Sequence, residues 1–289
     1  MELEEYFRKI LSNTLQPLLQ EIWRGNVNQS TRELEALRRR VKESMPENPA
    51  SCGWKAFSQN DEDGIIQECL RRLSLSFPLS HTFIEFCCGN GLENCTHNLL
   101  INGYRGVWLD GDPANQAFIK NGLGFLKNET LWVRDDFLTL QNIEHILKES
   151  IEFLNEKNID VFVLDIDGND IYFAEVIQRI IAPKLFVVEY NSKFPPPLSI
   201  SIDYNESHLF QWDDYSGASL QKFVDTLTDY TLVSCNLTGI NAFFIRKDLM
   251  KNFYEYDINS IYQPQRYEHV YSITHTPSFK WLKQIITKS

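Results

Sequence analysis

The sequence predicts an α/β fold with a mostly parallel, seven-stranded sheet, an antiparallel hairpin at its C-terminal end and a helical arm before it. From residue 82 onward, short β-rich runs alternate with helical patterns, as in sheets whose parallel strands are joined by crossover helices. The last two β-rich runs are separated only by residues 236–241. This connection is too short for a crossover helix, so the two strands must be antiparallel.

The size and polarity of the chain indicate one globular domain with an appendage. Its 289 residues, 43% of them apolar, can bury one full core with residues to spare. The net charge of -11 disfavours nucleic acid and anionic membrane surfaces as partners. Residues 1–5 are acidic and no apolar run approaches about 18 residues, so we predict a cytoplasmic protein without a signal peptide or membrane span. The six cysteines lack metal-ligand spacing and are expected to be core thiols.

The N-terminal arm is predicted to contain two helices. Apolar residues recur at helical spacing over residues 3–23, where Pro17 should kink the helix. A second helix is predicted over 31–43, because Ser30 can cap it and Glu33 completes a capping box. Since such helices have no core of their own, the arm packs on the domain or pairs with another subunit, and we expect a homo-oligomer. Arm, linker and domain are predicted over residues 1–45, 46–56 and 57–289.

The predicted strands of the domain are rich in β-branched and aromatic residues, and the predicted helices have apolar residues on one face. Strands are predicted over 82–87, 106–110, 131–135, 160–165, 185–190, 231–235 and 242–246. Helices are predicted near 65–70, 94–102, 113–121, 142–156 and 170–181, with one more between 216 and 228. The pattern beyond residue 250 predicts no particular element.

A glycine turn follows the first predicted strand. Glu85 lies on the strand, and Cys87, Gly89 and Gly91 follow it before the next helix. Glycine permits both the backbone conformation and the close approach by which such a turn brings N–H groups against a ligand. The four residues are therefore candidate cofactor-binding residues.

Acidic residues end the second and third predicted strands. Asp110 is placed to accept both ribose hydroxyls of an adenosine group. Asp136 could accept from the adenine amino group, and Phe137 could cover the ring. Any one of these acids alone could instead cap a helix, but acids in register at consecutive strand ends favour an adenosine-containing cofactor.

The segments FIEFCCGNGLENCTH (83–97) and GYRGVWLDGD (103–112) resemble the FkbM-type methyltransferases, over about residues 55–248. The resemblance implies a Rossmann-like class I methyltransferase fold, S-adenosyl-L-methionine as cofactor, and O-methylation of a sugar, a glycan precursor or another small-molecule acceptor, as in polysaccharide biosynthesis. It also implies that the 85–91 segment surrounds the methionine part of the cofactor and that Asp110 binds ribose. The chain departs from the family at Cys87 and Cys88, where small, glycine-like residues are usual.

The fourth and fifth predicted strands also end in polar residues: Asp165 and Asp167, then Glu189 and Asn191. Neighbouring parallel strands lie about 4.8 Å apart, so these groups can converge on one ion or one hydroxyl. Resemblance to metal-dependent sugar and catechol O-methyltransferases implies a Mg²⁺ site formed by Asp165 or Asp167 together with Glu189 and Asn191. The alternative is that Asp167 and its neighbours to Asp170 only form the turn and cap of the next helix.

Methyl transfer to a hydroxyl also needs a group that takes the proton, and the candidates are Asp167 and His208. The aromatic-rich loop 191–216 is expected to cover the acceptor. A non-catalytic scaffold that oligomerises through its arm remains a second reading. An NAD-dependent oxidoreductase is a third, which is disfavoured by the terminal hairpin and by Asn94, where the dinucleotide motif needs its last glycine.

Overall fold

The computed structural model describes residues 2–124, 126, 129–211, 213–266, 268–269 and 278–286. The α-helices are α1 Glu2–Ser44, α2 Glu62–Ser74, α3 His97–Ile101, α4 Pro113–Leu123, α5 Ile143–Leu154, α6 Asp170–Ile180, α7 Leu220–Thr226, α8 Ile258–Ile261 and α9 Phe279–Ile286. The strands are β1 Thr82–Phe86, β2 Arg105–Leu109, β3 Leu131–Arg134, β4 Val161–Leu164, β5 Leu185–Glu189, β6 Tyr230–Cys235 and β7 Asn241–Arg246. Two 3-10 helices cover Pro49–Cys52 and Lys247–Asn252.

The seven strands form one sheet in the order β3-β2-β1-β4-β5-β7-β6. Strands β1 to β5 pair in parallel, and β7 lies antiparallel between β5 and β6. This topology confirms the predicted Rossmann-like fold of class I methyltransferases. The chain runs outward to β3 on one side of β1 and to β5 on the other, so the carboxyl ends of β1 and β4 flank the switch point. Crevices that bind ligands form at such points.

Apolar residues cover both faces of the parallel strands. Every residue of β1 and of β4 is buried, as expected for strands that lie between two helical layers. At one close contact, a Cβ on Gly106 would lie 2.1 Å from the ring of Phe83, so β2 accepts the neighbouring aromatic ring only because this position is glycine. This contact lies near the amino ends of the two strands, opposite the end at which the chain leaves them, and it belongs to the packed core of the sheet.

The prediction of two arm helices is wrong, because α1 runs without a break from Glu2 to Ser44. Ser30, the predicted cap, lies inside the helix and is buried, and Leu34 and Val41 are buried with it. The C-terminal half of α1 packs on the domain, and this packing stabilises the helix across Gly25. A glycine inside a helix costs only about 1 kcal/mol relative to alanine. Within the predicted linker, the 3-10 helix Pro49–Cys52 buries its first two residues.

The outer half of α1 has an apolar stripe that the described residues leave exposed. Its members follow helical spacing and each exposes between 44% and 61% of its surface: Leu15, Leu18, Leu19, Ile22 and Trp23. In the part of the chain that the structure describes, no helix is both long and apolar enough to cross a bilayer.

Candidate functional site

A cavity of about 660 Å³ opens at the carboxyl ends of the parallel strands. Most of the predicted site residues line it together: Cys87, Gly89, Asp110, Asp136, Phe137, Asp165, Asp167, Glu189 and His208. Glu85, Gly91 and Asn191 were also predicted to belong to the site and do not line the cavity. Gln59, Asn115 and Leu209 also line the cavity, although no sequence motif assigns them to the site.

The turn after β1 has a left-handed backbone at three positions: φ is 66° at Cys87, 56° at Gly89 and 73° at Gly91. A Cβ on Gly91 would lie 2.8 Å from the ring of Trp108, so this position needs glycine for space as well as for conformation. Cys87 tolerates a conformation that L-residues rarely adopt, and its side chain faces the cavity. Cys88 is buried away from it, so only one of the two cysteines narrows the site.

Glu85 lies behind the turn and holds it in place. Its carboxylate accepts hydrogen bonds from Asn94 Nδ2 (2.6 Å), Cys95 N (2.9 Å), Thr96 N (3.1 Å) and Thr96 Oγ1 (2.5 Å). Thr96 Oγ1 also accepts from Trp108 Nε1 at 2.7 Å. Burial raises the pKa of Glu85 to about 7, against the effect of these donors. These hydrogen bonds hold the loop before α3, and the predicted contact of Glu85 with a cofactor stays a prediction.

Asp110 follows β2 and is buried at the wall of the cavity. Its Oδ1 accepts from Asp112 N at 2.9 Å and from Asn115 Nδ2 at 3.1 Å. Its Oδ2 accepts no hydrogen bond from the residues that the structure describes. The carboxylate is thus fixed in orientation by one oxygen and keeps the other for a ligand.

The third predicted strand end forms another part of the wall. Asp136 Oδ2 pairs with Arg134 Nε at 2.7 Å, which fixes the side chain at the cavity rim. Phe137 is half exposed, and a Cβ on Gly111 would lie 3.4 Å from its ring. An exposed aromatic ring therefore lies next to the loop after Asp110.

Three carboxyl groups meet on the other side of the cavity. The closest carboxylate oxygens of Asp165, Asp167 and Glu189 all lie within 4.8 Å of one another. Burial, followed by the charge of Asp167, raises the pKa of Asp165 to about 8. Burial and the charge of Asp165 raise the pKa of Glu189 as well. Among the described residues, no Lys or Arg forms an ion pair with any of the three.

This carboxyl cluster fits a divalent cation. Carboxylate oxygens are the ligands that Mg²⁺ prefers, and two ligands on opposite sides of the ion, each at about 2.1 Å, lie about 4.2 Å apart. A cation would also remove the repulsion that raises the pKa values of Asp165 and Glu189. Residues 167–170 also form the turn before α6, as the alternative predicts: Asp167 has a left-handed backbone, and the Asp170 carboxylate accepts from Ile166 N and Gly168 N, both at 2.9 Å.

Asn191, the fourth predicted metal ligand, does not join the cluster. Its Nδ2 donates to the carbonyl oxygens of Asp214 and Ser216, both at 3.0 Å, and its Oδ1 accepts from Lys193 N at 3.2 Å. A short polar residue at the start of a long loop finds these backbone groups first. Asn191 therefore closes the base of loop 191–216, and the metal-ligand prediction for it is not supported.

His208 reaches the cavity from loop 191–216. Its ring lies over Gly168, where a Cβ would be 2.2 Å from His208 Cδ2, so glycine is required beneath it. Asn169 and Asn205 hold this part of the loop through reciprocal hydrogen bonds of 2.8 and 3.2 Å. His208 Nε2 is buried without a hydrogen-bond partner among the described residues. Asp167 lines the same cavity and is exposed, whereas His208 is half-buried.

Only some aromatic residues of loop 191–216 face the cavity. Phe210 lines it, whereas Tyr204 packs against Tyr172 and accepts a hydrogen bond from Leu140 N at 3.0 Å. Tyr215 accepts from Asp203 N at 3.2 Å. The loop aromatics are therefore divided between internal packing and the cavity. Trp212, also predicted to belong to this lid, lies outside the described residues.

No family model matches the sequence, and no curated protein matches it. Among solved structures, the chain resembles monomeric WbdD, with 13% identity and a TM-score of 0.40 over 70% of this chain and 43% of that one. A Staphylococcus aureus protein assigned as a caffeoyl-CoA O-methyltransferase matches with 13% identity and a TM-score of 0.43, over 79% of this chain and 99% of that one. The glycopeptide N-methyltransferase MtfA, complexed with S-adenosyl-L-methionine, matches with 10% identity and a TM-score of 0.36, over 63% and 86%. The matched part of WbdD is less than half of its length.

Proposed function

We propose that the protein is an S-adenosyl-L-methionine-dependent O-methyltransferase that acts on a hydroxyl of a sugar or glycan precursor, with assistance from Mg²⁺. One observation carries the proposal: a single cavity joins the glycine turn and Asp110 to the carboxyl cluster Asp165, Asp167 and Glu189. The first half fits an adenosine-containing cofactor, and the second fits a hydroxyl that must lose its proton.

The cofactor end of the cavity would hold the nucleoside through Asp110. Its unpaired Oδ2 can accept from the ribose hydroxyls, while Oδ1 stays bonded to the loop before α4. Asp136 and Phe137 would contact the adenine from the end of β3. The left-handed turn at Gly89 would surround the methionine part, because this backbone has no side chain that blocks it. The bound cofactor supplies a methyl group on a positively charged sulfonium.

At the acceptor end, Asp165, Asp167 and Glu189 would hold Mg²⁺, which polarises a hydroxyl and lowers its pKa. Asp167 would accept the hydroxyl proton, because it is the most exposed member of the cluster. His208 would line the acceptor side, and Phe210 offers an apolar surface of the kind on which sugar faces stack. A neutral or weakly polar small acceptor suits this wall better than a polyanion, which three carboxylates would repel.

Calorimetric titration of the full chain with S-adenosyl-L-methionine, its demethylated product and NAD, each with and without Mg²⁺, tests the proposal. We expect micromolar binding of the first two and none of NAD, because the site offers an acid for ribose and no dinucleotide motif. Mass spectrometry of monosaccharides and nucleotide sugars incubated with protein and cofactor would then identify methylated acceptors. Binding of NAD alone would favour an oxidoreductase, and binding of none would favour a scaffold.

We also propose that two copies pair through the apolar stripe on α1. Residues 12–20 contain no charged side chain, so a second copy of this face meets no like-charge repulsion. The spacing of Leu15, Leu18, Leu19 and Ile22 is the same when read in either direction, so in an antiparallel pair around a two-fold axis each apolar residue can face an apolar residue of the other copy. Sedimentation velocity should show a dimer that Leu18→Glu converts to a monomer with an unchanged melting temperature. A monomeric wild-type chain would contradict this pairing.

A further inference from the structure

The last described helix, α9, inserts an aromatic ring between two helices of the cofactor half of the domain. Phe279 is 8% exposed and packs against Phe118 of α4, with ring centroids 5.8 Å apart. Its ring also covers Gly122, where a Cβ would lie 2.3 Å from Phe279 Cδ2. Glycine inside a helix costs about 1 kcal/mol relative to alanine. The presence of Gly122 in α4 is explained by the room that Phe279 needs.

On its other side, Phe279 contacts a buried histidine at the start of α3. The ring of His97 is fully buried and lies between Phe279, at a centroid distance of 5.9 Å and an angle of 15°, and Phe57, at 4.2 Å and 1°. Trp108 completes its surroundings at 6.1 Å. Three aromatic rings therefore fix the position of the imidazole, and one of them comes from α9.

His97 in turn holds the glycine turn. Its Nδ1 lies 2.7 Å from the carbonyl oxygen of Gly91, and because a carbonyl only accepts, Nδ1 must carry the proton. Burial lowers the pKa of His97 to about 4, so the ring is neutral near pH 7 and keeps this tautomer. The contact reaches the residue at which the turn closes, since Gly91 N donates to Cys88 O at 3.1 Å.

Helix α9 thus supports two parts of the predicted cofactor site, the glycine turn after β1 and helix α4. Through His97, α9 contacts the turn that contains Gly89, and through Gly122 it contacts α4. Helix α4 starts directly after Asp112, whose backbone N–H fixes the carboxylate of Asp110. We propose that α9 is a brace for the cofactor site and that Phe279 is a positioning residue, which acts through His97 and α4 without touching the cofactor. This inference rests on the proposed function, because it concerns the same cofactor.

The variant Phe279→Ala tests the brace. We expect its affinity for S-adenosyl-L-methionine and for the demethylated product to fall roughly two- to thirtyfold, the range seen for residues that couple to a site without contacting its ligand. Trp281→Ala is the matched control, because Trp281 lies on the same helix, is larger and is 68% exposed. The Trp281→Ala variant should bind both ligands with the affinity of the wild type. Dissociation constants are measured by calorimetry at a temperature where melting curves show every variant folded.

A second variant separates positioning from loss of packing. Gly122→Ala adds one methyl group that must displace the ring of Phe279, so it should weaken cofactor binding in the wild type and have little further effect in Phe279→Ala. Phe279→Leu should restore most of the affinity that Phe279→Ala loses, and if Phe279→Ala does not fold, Gly122→Ala carries the test, because it displaces the same ring. A wild-type chain that binds no cofactor would refute the proposed function. A wild type that binds, with Phe279→Ala, Phe279→Leu and Gly122→Ala all equal to it, would refute the brace alone.

Discussion

Replacing Asp110 by Asn is expected to weaken S-adenosyl-L-methionine binding about a hundredfold, the largest effect that we expect from a single change at the cofactor end. Hydrogen bonds to a charged group contribute about 1.5–3 kcal/mol each, and 1.4 kcal/mol corresponds to a factor of ten in affinity. The asparagine keeps the shape of the side chain and one oxygen that can accept from Asp112 N, as Asp110 Oδ1 does in the wild type at 2.9 Å. It loses the charge and presents an N–H where a ribose hydroxyl needs an acceptor. Calorimetry on the purified variant measures the effect.

Asp135→Asn is the control for this substitution, because it removes the same charge one strand away. Asp135 is exposed, forms an ion pair with Lys120 at 3.3 Å and does not line the cavity. Its variant should bind the cofactor as the wild type does. Equal affinities of all three proteins would mean that Asp110 does not bind ribose, and the adenosine site would then have to lie elsewhere.

The sheet could be predicted from the sequence because its strands are short, apolar and separated by helical patterns. The predicted strand over 185–190 is observed as Leu185–Glu189, and that over 106–110 as Arg105–Leu109. Hydrophobic runs of this kind have few alternatives to a buried parallel strand. The short connection between the last two strands was enough to predict the antiparallel hairpin, which is confirmed.

Two boundaries were not predictable, because tertiary contacts decide them. The helix predicted over 94–102 begins only at His97, since the N–H groups of Cys95 and Thr96 donate to Glu85 from another element. The break predicted inside the arm is absent, since burial of Ser30 and its neighbours on the domain outweighs the local capping signal. Local sequence patterns indicate the secondary structure that a segment can adopt alone, whereas contacts with distant parts of the chain determine where a helix begins and ends.

The same limit applies to the site. Residues at the ends of the predicted strands were expected to surround one cavity. Asp110, Asp165 and Glu189 do line it. The position at a strand end could not predict which polar groups are already used in hydrogen bonds within the protein. Asn191 sits at an equivalent strand end, but the carbonyl oxygens of its own loop take its amide.

The carboxyl cluster leads to the second large prediction: Asp165→Asn and Glu189→Gln should each weaken Mn²⁺ and Mg²⁺ binding on the order of a hundredfold, because affinity for hard cations follows the number of charged oxygens. Titration calorimetry with each metal alone, without cofactor, measures this effect. Glu206→Gln is the control, since Glu206 is an exposed residue of loop 191–216 outside the cluster. Wild-type affinity in both cluster variants would show that these carboxylates bind no metal.

Asp165→Asn should weaken metal binding but make the metal-free protein less sensitive to rising pH. These opposite effects distinguish a metal site from a cluster that only stabilises the fold. The pKa of Asp165 is raised from 3.8 to about 8 by burial and by the charge of Asp167, so its ionisation destabilises the metal-free fold. The stability associated with the protonated form is complete below pH 3.8 and is lost as the pH rises toward 8. Without metal, the melting temperature of the wild type should therefore fall between pH 5 and pH 8 more steeply than that of Asp165→Asn. Mg²⁺ should restore the wild type at pH 8 and leave the variant unchanged, because a bound cation replaces the proton; equal slopes with and without Mg²⁺ would contradict a cation between Asp165 and Glu189.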